Sequence, residues 1–278
     1  MIQDKIVFIG GGNMARSLIG GLIADKMPAE QIHVIEPQTE TRQRLAADFG
    51  ITVYNAADTV LEEATVIILA VKPQMLQQVI KSLSPVWPPQ ALMISIAAGI
   101  HTDDMARWLN HAGTAIVRAM PNTPALVQAG ATALFANTQT STAQRQLAES
   151  VMRAVGLVIW VENEQQMDAV TAISGSGPAY FFLVMEAMQA AAMELGLPEE
   201  TARLLCLETA FGAAKMALES KHSAATLRHQ VTSPGGTTER AIHELEDGGL
   251  HGLFENAIVA AALRARELGH QLGQDNDT

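Results

Sequence analysis

Through its first half the chain places short apolar blocks between longer stretches of helical spacing. Lys5-Ile6-Val7-Phe8-Ile9 breaks at Gly10-Gly11-Gly12 and resumes as Met14, Leu18 and Leu22, one face of a helix. Further strand-like blocks lie at 32–36, 51–54, 64–71, 91–96, 115–118, 131–135 and 158–161. Between them, helical spacing covers 39–49, a turn at 59–63, 75–83, 101–109 with Thr102 as N-cap, and 142–155. The block 64–71 is almost wholly apolar, as a parallel strand covered on both faces must be. Strands alternating with helices of this length predict an α/β domain built on a doubly wound, mostly parallel sheet.

Near Asn163 the pattern changes. From Met167 onward the strand blocks disappear, and helical stretches at 178–195, 199–219, 227–231, 238–246 and 250–268 take over. The expected organisation is a first domain over 1–163, an all-α domain over 164–270, and a polar tail over 271–278 without fixed structure. Both segments in 178–219 are apolar on more than one face, which a surface helix does not need. They fit a deep core or, better, a subunit interface.

Chemistry enters at the glycine turn. Strand, Gly10-x-Gly12-x-x-Ala15, then helix is the arrangement of a Rossmann-type dinucleotide site. The first glycine permits the tight turn, the second lets backbone approach a pyrophosphate, and the helix N-terminus offers free N–H groups. Glu36 ends the second strand, where an acid accepts hydrogen bonds from ribose hydroxyls; Arg42 and Arg44 follow and suit a 2′-phosphate instead. Lys72, before Pro73, sits at a strand end facing the ligand crevice. Two loops in the helical half, 174–178 and 232–238, combine glycines and hydroxyls with a helix start, the makings of an anion site.

Composition narrows the choice. The net charge is −11 with no Lys/Arg cluster, which argues against nucleic-acid binding. The single cysteine, Cys206, excludes an intrachain disulfide. No apolar stretch reaches spanning length without a charge, and the chain reads as soluble and cytoplasmic. Motifs for a metal or a kinase-type phosphate site are missing. The eight histidines are scattered, and none forms a strand-end pair with a carboxylate. A hydride transfer that needs no strong base, such as reduction of a C=N bond, fits that inventory.

Phe8-Ile9-Gly10-Gly11-Gly12-Asn13-Met14, Ala70-Val71-Lys72-Pro73, Ser95-Ile96-Ala97-Ala98-Gly99, Met120-Pro121-Asn122-Thr123-Pro124, Ser174-Gly175-Ser176-Gly177-Pro178 and Ser233-Pro234-Gly235-Gly236-Thr237-Thr238 occur in this order. The series resembles the pyrroline-5-carboxylate reductases over nearly the whole chain. The resemblance implies NADPH- or NADH-dependent reduction of L-1-pyrroline-5-carboxylate to L-proline, and a helical domain that forms a homodimer, with a decamer as the larger assembly. It implies that Ile9, Gly10, Gly11, Gly12, Asn13 and Met14 wrap the pyrophosphate, and that Val71, Lys72, Pro73 and Ala98 border the nicotinamide. Glu36 stands where the family often carries a small hydroxyl residue, a departure that pulls toward NADH. Gln230 matches a polar position near the cofactor and Glu164 one near the substrate. Ser233, Gly235, Gly236, Thr237 and Thr238 would hold the substrate, with Thr238 bonded to the ring nitrogen. Two alternatives stay open: a β-hydroxyacid dehydrogenase-like enzyme, although 178–195 lacks the lysine it needs, and a non-catalytic dinucleotide-sensing protein.

Overall fold

In the computed structural model, which describes residues 5–57 and 59–275, the predicted alternation becomes one eight-stranded sheet. Its elements are β1 (Ile6–Ile9), α1 (Asn13–Ala24), β2 (Ile32–Ile35), α2 (Thr39–Phe49), β3 (Thr52–Tyr54), β4 (Val66–Leu69), α3 (Pro73–Leu83), β5 (Leu92–Ser95), α4 (Thr102–Leu109), β6 (Ile116–Met120), β7 (Gly130–Ala136), α5 (Thr142–Arg153) and β8 (Gly156–Trp160). Strand order is β3-β2-β1-β4-β5-β6-β7-β8. The pairs from β3 to β6 are parallel, in register Phe8↔Val34 and Phe8↔Ile68 around β1. β7 runs antiparallel to β6, and β8 parallel to β7. A short 3₁₀ turn over Thr123–Val127 joins β6 to β7, and so brief a link cannot make the crossover a parallel pair needs.

Burial follows from the pleat. Along β1, Ile6 and Phe8 enter one hydrophobic layer and Val7 and Ile9 the other. β4 repeats this with Val66 and Ile68 opposite Ile67 and Leu69. Both faces are therefore covered, and the chain reverses its winding between β1 and β4. That switch point opens a crevice at the strand C-terminal ends.

The described residues form two compact units, one from residues up to Ser176 together with those from Ala260 onward, and the other Gly177–Val259. The first includes α6 (Gln166–Val170), which runs on as a π-helical turn, Thr171–Gly175. The expected loop at 174–178 is thus helical up to Gly175. Ser174 Oγ donates to the Ala131 carbonyl, and the Ser174 carbonyl accepts from Asn122 Nδ2, both at 3.2 Å. The second unit holds α7 (Gly177–Glu194), packed along α8 (Glu199–Glu219), then α9 (Ala224–Gln230) and α10 (Thr237–Asp247). α7 and α8 leave Phe181, Phe182, Leu183, Leu204 and Phe211 exposed. The last helix, α11 (Leu250–Gly273), begins in the second unit and ends in the first.

Two expectations are corrected here. The N-cap of α4 is His101, and Thr102 is its first helical residue. The tail begins as ordered structure: 271–273 complete α11, and Asp275 accepts hydrogen bonds from Trp108 Nε1 (2.9 Å) and Arg107 Nε (3.1 Å). Arg107 Nη2 also donates to the Gly273 carbonyl at 2.6 Å. Residues 276–278 lie outside the described residues.

Within the first unit α11 meets the turn after β5 backbone to backbone. A Cβ on Gly269 would lie 2.6 Å from the Gly99 carbonyl oxygen, and one on Gly99 3.2 Å from the Gly269 nitrogen. Gly269→Ala is therefore expected to destabilise the protein by roughly 1–3 kcal/mol through overpacking, outweighing alanine's better helix propensity. A denaturation midpoint at or above wild type would contradict this contact.

Candidate active site

The first unit carries a cleft of about 580 Å³ at the switch point, a usual size for a small-molecule site. Its floor is the β1–α1 turn. Gly10 adopts φ +100°, and a Cβ there would lie 2.6 Å from the Ala70 carbonyl oxygen. Its N–H donates to the Ile35 carbonyl (2.8 Å), tying the turn to β2. At Gly11 a Cβ would strike Leu45 Cδ1 at 2.6 Å. Gly12 differs: no protein atom lies within 4 Å of its would-be Cβ. It is the N-cap of α1 and supplies no side-chain acceptor to the first-turn N–H groups. Uncapped amides facing open space match the needs of a pyrophosphate.

Ile9, Gly10, Gly11, Gly12, Glu36, Val71 and Lys72 all line this cleft. Asn13 and Met14 form the first turn of α1, and Pro73 opens α3 with Lys72 as its N-cap. Ala98 is partly buried in the turn after β5 and does not line this cleft. Glu36 is 9% exposed. Its Oε2 accepts from the Gly11 N–H at 2.9 Å and its Oε1 from the Gln38 N–H at 2.8 Å.

Glu164, placed beside the substrate by resemblance, anchors a buried cluster. It accepts from the Thr102 N–H (2.8 Å), the Thr102 hydroxyl (3.0 Å) and Arg118 Nη1 (2.8 Å). His101 Nδ1 lies 3.7 Å from its other oxygen. Arg118 is 3% exposed in the middle of the sheet, where an unpaired charge would be prohibitive. Sequence reading passed over Arg118, Thr102 and His101 as site neighbours. The one available signal was an arginine closing the apolar block 115–118. Burial by itself would raise the Glu164 pKa; the neighbouring His101 imidazole, the hydrogen bond and charge of Arg118 and the Thr102 N–H overcome it and hold the carboxyl at about 2. His101 is raised, chiefly by the Glu164 carboxylate 3.7 Å from its Nδ1, against burial and the Arg118 charge.

In the second unit, Ser233 to Gly236 form a reverse turn: Gly235 has φ +70°, and the Gly236 N–H donates to the Ser233 carbonyl at 2.9 Å. Gly236 is the N-cap of α10, again without a side-chain cap, and Thr237 and Thr238 follow as exposed first-turn residues. The Gly235 N–H donates to Glu239 Oε2 at 2.7 Å, so a carboxylate already sits on this anion-suited turn. Gln230 is exposed at the end of α9 in the same unit.

Known proteins share this design. Residues 164–268 match the family model for pyrroline-5-carboxylate reductase dimerisation, and 5–99 match one described as NADP oxidoreductase, coenzyme F420-dependent. A pyrroline-5-carboxylate reductase of Pseudomonas aeruginosa is 49% identical, covering 99% of this chain and 100% of that protein. The chain belongs to the pyrroline-5-carboxylate reductase family. A pyrroline-5-carboxylate reductase of Glycine max is 37% identical over 94% of each chain. The solved pyrroline-5-carboxylate reductase of Coxiella burnetii superposes with a TM-score of 0.91 at 48% identity, covering 95% of this chain and 98% of that one. The Plasmodium falciparum pyrroline carboxylate reductase, solved with NADP bound, superposes at 0.86 with 26% identity, covering 97% and 99%. The family model that spans 164–268 makes the bare apolar helices of the second unit part of a dimerisation domain.

The Glu164 cluster sets a pH signature for this family member. A depressed carboxylate pKa stabilises the fold above the ordinary value of 4.5, and that stability is lost as pH falls toward about 2. Glu164 contributes about 3 kcal/mol by this linkage. The raised His101 adds stability that is complete below its ordinary 6.5 and disappears as pH rises past its elevated value. Glu164→Gln is thus expected to cost most between pH 4.5 and 6.5, with the gap from wild type narrowing on either side. A gap independent of pH in thermal melts would rule out ionisation of this cluster as the cause.

Proposed function

We propose that the chain catalyses the NAD(P)H-dependent reduction of L-1-pyrroline-5-carboxylate to L-proline, the last step of proline biosynthesis. The observation that carries this reading is the full-length 49% identity to a reductase of that name. The chemistry of the cleft supports it, because uncapped α1 amides and a Gly12 that faces open space suit a pyrophosphate. Ile9 to Met14 hold the pyrophosphate, Glu36 holds the adenosine ribose, Val71, Lys72, Pro73 and Ala98 serve the nicotinamide half, and Gln230 is a polar residue assigned to the cofactor.

The reduced nicotinamide supplies the hydride when bound. The chain's own task is to hold a cyclic imine still and to stabilise its charge. Ser233, Gly235, Gly236 and Thr237 bind the substrate carboxylate, which must displace Glu239 from the Gly235 N–H. Thr238 hydrogen-bonds the ring nitrogen and supports its protonation. Glu164 has both oxygens committed to Thr102 and Arg118, so we assign it to positioning the α4 N-terminus and not to a free substrate contact. Lys72 keeps an exposed ammonium at the α3 N-cap on the rim of the cleft.

Thr238→Ala is expected to lower kcat/KM for pyrroline-5-carboxylate by roughly 1–3 kcal/mol of transition-state stabilisation, the value of one hydrogen bond to a charged group. The assay follows loss of NADH or NADPH absorbance. Wild-type protein that consumes neither would overturn the reading, and unchanged kinetics in the variant would remove Thr238 from the mechanism.

The same reading makes the functional form a homodimer, with a decamer of five such dimers as the larger assembly. Phe181 (67% exposed) and Phe182 (63%) are the surfaces that pairing would cover. Phe182→Glu is expected to lower the mass seen by light scattering. A wild-type mass of a single chain would exclude the pairing. A biosynthetic role and a lone cysteine support a cytoplasmic site of action.

A further inference from the structure

We propose that this chain prefers NADH to NADPH and that Glu36 makes the choice. The inference rests on the cleft being the dinucleotide site. Among the described lining residues Glu36 is the one anion and Lys72 the one cation. Glu36 lies beside the turn that faces the pyrophosphate, hydrogen-bonded to the Gly11 N–H and, through its other oxygen, to the Gln38 N–H. Two backbone donors pin the carboxylate, and each oxygen keeps a lone pair for a ribose hydroxyl. Being 9% exposed, its charge is poorly screened.

A 2′-phosphate would bring a charge of about −1.5 to −2 against that carboxylate. The cation that sequence offers for it is already engaged. Arg42 Nη1 donates to the carbonyls of Glu36 and Pro37, both at 2.7 Å, and Nη2 donates to Thr39 Oγ1 at 3.0 Å. Arg42 thereby braces the 36–39 turn that presents Glu36, and swinging it toward a phosphate would break that brace. Arg44 is exposed two residues further along α2, off the face that Arg42 occupies. Glu36 and Arg42 thus form one device: the carboxylate accepts ribose hydroxyls and repels a phosphate, and the guanidinium holds it in place.

Titration of the full-length protein with NADH and with NADPH, followed by calorimetry without substrate, tests this apart from turnover. Wild type is expected to bind NADH at least about tenfold more tightly, since juxtaposed like charges weaken binding by that much or more. Glu36→Ser is expected to shift the ratio of the two Kd values toward NADPH by about tenfold or more. Glu36→Gln, which keeps the shape and an acceptor for the Gly11 N–H, is expected to strengthen NADPH binding while retaining NADH. Equal or tighter NADPH binding by wild type overturns the preference, and an unchanged ratio in both variants removes Glu36 as its cause. Failure to bind either dinucleotide overturns the reading of the cleft itself.

Discussion

Two glycines with no room for a side chain set the geometry on which the rest of the first unit depends. Because Gly10 lies against the Ala70 carbonyl and Gly11 against Leu45, β1 can turn into α1 hard up against β4 and α2. That closeness brings the Gly11 N–H within reach of the Glu36 carboxylate, which fixes the end of β2. It also leaves the first-turn N–H groups of α1 without a side-chain cap. A methyl group at Gly10 would strike the Ala70 backbone and push the helix off the sheet, whereas one at Gly11 would force the Leu45 side chain to shift.

The buried pair Arg118–Glu164 plays a comparable part deeper in the sheet. A guanidinium 3% exposed on β6 must have a partner, and the partner comes from the connection after β8, far along the chain. The same carboxylate takes the first N–H of α4, where the helix dipole favours negative charge. One side chain thereby joins a strand, a helix start and a loop. Such an arrangement is rigid when ionised and costly to break by halves.

Much of this was legible from residue order. Strand–helix alternation, two-sided burial of β4, the glycine turn and the strand end at Lys72-Pro73 are local signals, set by neighbours a few positions away. The reversal of β7 was not, because 130–136 reads as a strand in either direction and only the shortness of the link from β6 decides it. Thr102 looked like a cap, since threonine usually is one; the acceptor for its own N–H arrives from 62 residues away. The glycines and serines around 174 read as a loop, but contacts to Asn122 and Ala131 hold them in a π-helical turn. Apolar surface all round α7 and α8 was visible in the pattern and stays bare in the single chain.

The path of α11 has a consequence for synthesis. The helix closes the first unit: Gly269 nests on Gly99, Leu272 joins its hydrophobic layer, and Asp275 locks onto Trp108. Those residues leave the ribosome after all eight strands. Translation from the N-terminus can therefore build the sheet early but cannot finish the packing around β5 and α4 until α11 has emerged. Through that interval the nascent unit has an unfilled edge, and its final cooperativity comes with α11.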